Sequence, residues 1–384
     1  MRPLSLLFLN YEYPPLGGGA ATANHFLLKE YASHPELTVD LVTSSTGHFK
    51  TENLGRFITI HYLDIGKRGS LHYQSNRDLL AYSYKAHRYC SALVRERQYD
   101  LVHAFFGIPC GYIAMKLGLP YIVSLRGSDV PFYNDRFRLP DRLLFRRLSR
   151  RVWRSAEAVT AVSESLCTLA VKTAPQQKIS IIRNGVDGAT FQMTQRPILN
   201  KNDFNILYVG RLVERKGLRY LLDAFASVAA QHPNSRLHIA GDGPDKEKLQ
   251  IQVQTLGIEG SVIFHGNVAY DQLPALYRQS DVIVLPSLTE ALGNVVLEAM
   301  ASGVPVITTN TGARELVGDC GIIVETASSS VIASALVRLI ENPDLRTELS
   351  KKGLAAARSL SWKAVADQYL ALYSSVRSDS SSLI

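Results

Sequence analysis

Cysteine is scarce in this chain and poorly placed for chemistry. Cys90, Cys110, Cys167 and Cys320 are scattered over 384 positions, with no Cys-x-x-Cys pair and no metal-ligand spacing. That argues against a disulfide framework and points to buried apolar fillers in a reducing compartment, the cytoplasm by default. Neither an Asp-x-Asp motif nor a His/Cys cluster is present. No apolar run approaches the roughly 18 residues that would span a bilayer. The apolar stretch from Pro3 to Leu9 runs directly into Asn-Tyr-Glu-Tyr-Pro-Pro without a small-residue cleavage site, so a buried first strand is expected rather than a secretory leader. Low complexity is confined to Ser378–Ser382, which reads as a frayed tail.

What remains is the composition of a packed protein, 46% hydrophobic and 20% charged, long enough for two ordinary domains. The net charge of +8 is unevenly spread. Residues 1–190 carry 24 Lys and Arg against 15 Asp and Glu, whereas residues 191–384 carry 18 against 19. The first half is therefore expected to meet something acidic, a phosphorylated ligand or an anionic membrane face. Nucleic acid is not expected, because no binding motif or aromatic-basic interleaving accompanies the charge.

Short apolar runs alternate with longer amphipathic stretches, the pattern of parallel sheets with crossover helices. Strands are expected at 4–9, 38–43, 58–63, 101–104, 121–125, 158–162 and 179–182. A second series follows a weakly periodic stretch, 189–203, at 205–209, 236–240, 262–265, 282–285, 304–308 and 321–324. The fold class is α/β, two doubly wound Rossmann-like domains at 1–190 and 191–384. A last helix at about 362–377 is expected to pack back on the first. Ligands of such sheets sit at the carboxyl ends of the strands, so function is expected in a cleft across which those ends face each other.

Three strand-to-helix turns carry chemistry. The first, PPLGGGAAT from Pro14 to Thr22, offers glycines and a helix N-terminus to an anion, or is simply a tight turn. The second, GRLVERKG from Gly210 to Gly217, sets Arg211 and Lys216 five residues apart beside glycines. A guanidinium forks two phosphate oxygens while an ammonium acts as a point charge, as a departing diphosphate requires; the bland alternative is a solvated basic turn. The third, PSLTEALGNVVLEAMASGVPVITT from Pro286 to Thr309, places Glu290 before a helix opened by Gly293-Asn294 and Glu298 about one turn inside it. Two carboxylates there accept hydroxyl hydrogen bonds, as sugar or ribose recognition requires, but do not flank a bond as a hydrolase pair would.

These segments, with RNGVD (Arg183 to Asp187), GDGP (Gly241 to Pro244), FHGNV (Phe264 to Val268) and Ser361-Trp362, follow the order and spacing of family 4 of the retaining glycosyltransferases, with the GT-B fold. The resemblance spans essentially the whole chain. It implies that Gly18 and Gly19 meet the distal phosphate of a nucleotide-sugar and that Arg211 and Lys216 clamp its diphosphate. By the same resemblance Glu298 holds the ribose, and Glu290 binds the donor sugar, assisted by backbone amides of Leu292, Gly293, Asn294 and Val295. Val268 presents backbone groups to the base. No metal or other cofactor is implied, which suits the absence of Asp-x-Asp; positive charge must then come from Arg211, Lys216 and backbone dipoles.

One position departs from the family. Where many relatives carry a histidine that touches the reacting sugar, this chain reads SLRGSDVP, with Arg126 in its place. An arginine cannot act as a base, but it can stabilise charge or bind the acceptor. Asp129 and His103 are expected as further cleft residues, the latter with a plain strand-end histidine as the alternative.

From Arg136 to Arg154 stand eight arginines with Asp135 and Asp141 as the only nearby acids. Leu144, Leu148 and Val152 recur every four residues, so a basic amphipathic helix is expected. It either buries that stripe on the sheet or attaches to an anionic membrane face. The expectation as a whole is a metal-independent, hexosyltransferase-like enzyme, cytoplasmic or peripheral on the membrane. It would move a sugar from a nucleotide-diphosphate donor to a saccharide or lipid-linked acceptor, in polysaccharide, lipopolysaccharide or glycolipid synthesis. The rivals are a nucleotide-sugar epimerase on the same fold and a non-catalytic nucleotide-sugar-binding subunit. Replacing Lys216 or Arg211 by alanine is expected to abolish turnover and leave melting nearly unchanged.

Overall fold

The computed structural model describes residues 3–68, 71, 73–134, 138–193 and 203–381. The chain divides into two compact units, one formed by 1–185 together with 362–384, the other by 186–361. The division falls between Gly185 and Val186, ahead of the expected boundary at 190/191, and the final helix Trp362–Ser381 belongs to the first unit. Much of the stretch 189–203, read as a linker, lies outside the described residues.

The first unit is built on strands β1 (Leu4–Leu9), β2 (Leu37–Ser45), β3 (Lys50–Asn53), β4 (Ile58–Asp64), β5 (Leu101–Phe105), β6 (Tyr121–Leu125), β7 (Ala158–Ala161) and β8 (Ser180–Ile181), in the order β3-β4-β2-β1-β5-β6-β7-β8. All pairs are parallel except β3 with β4. Apolar runs such as Leu6 to Leu9, wholly buried, are what a sheet covered on both faces demands. Strand β3 was not expected. Its sequence Lys-Thr-Glu-Asn is exposed throughout and carries no apolar alternation, because an edge strand in water needs none.

The helix Trp362–Ser381 is anchored by its aromatic face. Trp362 stacks on Phe26, with centroids 5.8 Å apart and planes at 10°. Tyr369 and Tyr373 are buried against β5 and β6. The helix continues to Ser381, where a frayed tail was expected.

The second unit carries β9 (Phe204–Val209), β10 (Ser235–Ala240), β11 (Val262–Gly266), β12 (Val282–Leu285), β13 (Val306–Thr309) and β14 (Gly321–Val324), all parallel, in the order β11-β10-β9-β12-β13-β14. Its core interleaves Ile206 and Tyr208 of β9 with Leu221, Leu222 and Phe225 of the helix Leu218–Gln231 and with Ile332 and Leu336 of the helix Ser329–Glu341.

The basic segment is helical throughout Arg138–Arg154, as expected, with a widened turn at Asp141–Phe145 between the α-helical pieces Arg138–Pro140 and Arg146–Arg154; Asp135 and Arg136 lie outside the described residues. Only Ser149, Val152 and Trp153 of Arg146–Arg154 are buried. Leu144 of the apolar stripe is 58% exposed, alongside Leu139 at 66% and Leu143 at 68%, so that end of the stripe does not lie on the sheet. The buried carboxylate of Asp141 accepts the Phe132 N–H at 2.7 Å and ties this part of the helix to the preceding loop. Of the cysteines, Cys90 and Cys110 are buried, while Cys167 and Cys320 are only partly so. Among the described residues no helix is long and apolar enough to cross a membrane.

Candidate functional site

In the second unit the strand order reverses between β9 and β12, and the crevice beyond the carboxyl ends at such a reversal is where these sheets bind ligands. The turn 210–217 leaves β9 there and the turn 286–293 leaves β12. Backbone joins them: Leu288 N–H donates to the Arg215 carbonyl at 2.8 Å. Gly217 is obligatory, since its φ is +66° and a Cβ would lie 2.1 Å from the Pro286 carbonyl oxygen.

This closeness brings Lys216 and Glu290 together. Their side chains form an ion pair, only 13% and 10% exposed, and Ser287 Oγ donates to Glu290 Oε2 at 3.2 Å. Burial would push the Glu290 carboxyl up, but the Lys216 ammonium overrides it and holds the group below the usual range. On Lys216 burial prevails over the attraction of Glu290 and lowers its pKa. The sequence reading gave these residues separate duties, phosphate for one and sugar hydroxyls for the other. They also contact each other, and removing Lys216 alone strands a buried carboxylate. Melting nearly unchanged in Lys216→Ala is therefore not to be expected.

The helix Asn294–Ala301 starts at Gly293, with φ +85°, and no side chain caps it and no acid sits in its first turn. A helix start without a side-chain cap suits the role read for the amides of residues 292–295. Glu298 lies one turn inside, 7% exposed. Burial pushes its carboxyl up to about 7, opposed only by Tyr277, whose hydroxyl donates to Glu298 Oε2 at 2.8 Å. Val268 follows β11 and is half-buried; nearby, Gly241 N–H donates to the Gly266 carbonyl at 2.7 Å.

In the first unit the reversal falls between β1 and β5. The glycine-rich turn opens the helix Gly19–Tyr31 as expected. Its Gly18 N–H, however, already meets a carboxylate, Glu12 Oε2 at 3.3 Å. A phosphate read to sit on Gly18 would have to share or displace it. Asp129 is 8% exposed, and its carboxylate accepts N–H groups of Gly107 at 2.7 Å, Gly127 at 2.9 Å and Arg126 at 3.0 Å. It pins the loops after β5 and β6. His103 does not line any cleft: it is wholly buried, with Nδ1 2.7 Å from Tyr373 Oη and Nε2 2.7 Å from Ser124 Oγ. Burial, reinforced by the Arg126 charge, holds its imidazole well below the usual range. The strand-end alternative is the right one.

Arg126 leaves β6 and lies 4.4 Å over the Phe105 ring. Its Nη1 donates to Asn184 Oδ1 at 2.7 Å and its Nη2 to Tyr369 Oη at 3.3 Å. Glu12, Tyr277, Asn184 and Tyr369 were not singled out from the sequence. Only the RNGVD motif pointed near one of them, since the others reach the site through pairings between distant segments. Among the described residues no group of three His, Cys, Asp or Glu is placed to hold a metal ion.

Comparison with known proteins agrees with the two-unit description. The family described as Glycosyltransferase Family 4 matches residues 17–189, and that described as Glycosyl transferases group 1 matches residues 191–355. The mannosylfructose-phosphate synthase of Agrobacterium fabrum is 35% identical over 179 residues, 44% of this chain; the chain covers 39% of that protein's length. Among solved structures, the sucrose-phosphate synthase from Thermosynechococcus elongatus superposes with a TM-score of 0.86 at 22% identity, covering 98% of this chain and 100% of that one. Anabaena HepE in complex with UDP-glucose superposes with a TM-score of 0.71 at 19% identity, covering 97% of this chain and 100% of that one.

Proposed function

The chain belongs to the group 1, family 4 glycosyltransferases of the GT-B fold, and from that premise we propose that it is a retaining transferase moving a hexose-like sugar from a nucleotide-diphosphate donor to an acceptor hydroxyl. The observation that carries this reading is the set of groups at the β9/β12 reversal. There the buried Lys216–Glu290 pair, the uncapped helix start at Gly293 and the buried Glu298 occupy one ligand-binding edge of one sheet. The complex of the similar HepE with UDP-glucose lends support to a nucleotide-sugar there.

In this reading the bond between the anomeric carbon and the diphosphate breaks, and charge builds on the departing phosphate oxygens. Arg211, Lys216 and the backbone amides of the Asn294 helix start stabilise that charge. Glu290, ionised by its contact with Lys216, accepts hydrogen bonds from donor-sugar hydroxyls, and Glu298 accepts those of the ribose. The leaving diphosphate takes the acceptor proton on the face it vacates, which retains the anomeric configuration without a protein base. The proposal includes metal-independent turnover, and a saccharide or lipid-linked acceptor met at the cytoplasmic face of a membrane. Exposed leucines beside the arginines of 138–154 support that last element. The epimerase alternative would need an acid/base set at this edge, and His103, sealed in the core, does not supply one.

The test is a calorimetric screen of the full chain against UDP-, GDP- and ADP-sugars, with and without EDTA. Micromolar binding of one nucleotide class, insensitive to chelator and lost in Arg211→Ala, is expected. Absence of binding to every class would overturn the donor assignment.

A further inference from the structure

Arg126 is a cation without a counter-ion. Its backbone N–H is held by Asp129, but its guanidinium engages only neutral groups: the Asn184 amide oxygen, the Tyr369 hydroxyl and the Phe105 ring. Its Nε is buried and has no hydrogen-bond partner, and no ion pair to it exists among the described residues. The neighbouring Asp129 carboxylate accepts three backbone N–H groups, and His103 and Tyr373 nearby are wholly buried. Arg126 is partly buried, and a partly desolvated charge with only neutral partners is favoured where an anion completes it. The position fits: Arg126 directly follows β6, at the carboxyl edge of the first unit's sheet, in the half of the chain that carries all of the basic excess.

Resting on the proposed function, we infer that Arg126 is the receptor for an anionic group, a phosphate or carboxylate, carried by the acceptor. Asn184 and Tyr369 hold the guanidinium over Phe105, so its remaining N–H groups are preorganised for a forked contact that a lysine cannot reproduce. An acceptor recognised here bears its negative charge close to the hydroxyl that is glycosylated.

Two measurements test this. Inorganic phosphate, titrated at constant ionic strength, raises the melting temperature of the wild-type chain. The response weakens about tenfold or more in apparent affinity in Arg126→Gln, is partly kept in Arg126→Lys, and persists in Arg211→Ala. An equal response in Arg126→Gln, or a response lost only in Arg211→Ala, overturns the inference while leaving the donor site intact. With the donor found by the screen, fructose 6-phosphate and inositol phosphates are then compared with fructose and inositol as acceptors. The phosphorylated members react with kcat/KM about tenfold or more above the neutral ones, and Arg126→Gln brings the ratio towards one by raising acceptor KM while nucleotide-diphosphate affinity stays within about twofold. Equal use of charged and neutral acceptors, or a matching loss of nucleotide affinity, overturns the inference. Absence of turnover with every donor would count against the proposed function and leave the phosphate response to decide on Arg126.

Discussion

Replacing Glu298 by glutamine should make the protein more stable and less able to bind its donor. Burial moves this carboxyl from an ordinary value of 4.5 to about 7. At about 1.4 kcal/mol for each tenfold change in proton affinity, ionising it in the folded state costs about 3 kcal/mol. The sign follows from proton uptake. Below pH ~4.5 both folded and unfolded chains hold the proton and the group is neutral in its effect. Between pH ~4.5 and 7 the unfolded chain releases the proton first, so stability falls as pH rises, and above 7 the full penalty stands. Glutamine does not titrate, fits the same space and still accepts from Tyr277 Oη, now 2.8 Å from Oε2. Its melting temperature should therefore exceed that of wild type by an amount that grows from pH 4.5 to 7 and then levels off. For a unit the size of the second one the plateau is on the order of 6–12 °C. Nucleotide affinity should fall roughly 10- to 100-fold, the loss of a charged hydrogen bond to the ribose, roughly 1.5–3 kcal/mol. Melting by scanning fluorimetry from pH 5 to 8.5, with calorimetric titration at pH 8, reads both. Parallel melting curves would refute the buried carboxylate, and unchanged nucleotide affinity would refute its role.

Lys216→Met should lower stability by about 3–5 kcal/mol because it strands Glu290, while Lys216→Met/Glu290→Gln should recover most of that loss with turnover absent in both; denaturant unfolding of the two variants checks it, and a neutral single variant would contradict the pair. His103→Ala should lower stability by about 2–4 kcal/mol and leave nucleotide affinity unchanged, as removal of a buried hydrogen-bonded ring does. The depressed His103 also predicts that wild type loses stability as pH falls below ~6.5, where the unfolded chain takes up a proton that the folded one refuses, a contribution missing from the same acid melting series on His103→Ala. Vesicles containing anionic lipid should bind the chain in a salt-sensitive way, weaker by about 1 kcal/mol for each of Arg142, Arg146 and Arg147 changed to glutamine and weaker also when Leu139, Leu143 and Leu144 become serine. Equal co-sedimentation with neutral vesicles would remove the membrane reading.

Most of the fold is legible in the sequence because parallel strands buried on both faces must be apolar. Runs such as Leu4–Leu9 and Val282–Leu285 announce themselves, while the polar edge strand Lys50–Asn53 does not. The turns after β9 and β12 are legible as motifs, since their glycines and charges have fixed spacing. Their coupling is not, because Lys216 and Glu290 are 74 residues apart and meet only when β9 and β12 pair. The same limit left two alternatives open at His103 and at Leu144. A histidine at a strand end reads alike whether it faces solvent or the aromatic rings of a returning helix, and a four-residue period does not say whether its leucines meet the sheet or water.

Transfer with retention from a nucleotide-sugar is read out by proton NMR of the anomeric signals during turnover. With the donor identified by the screen, an α-linked donor should give the α-linked product as the first signal to appear, at a rate unaffected by EDTA and undetectable in Lys216→Met/Glu290→Gln. A β-linked first product, or turnover persisting in that variant, would contradict it.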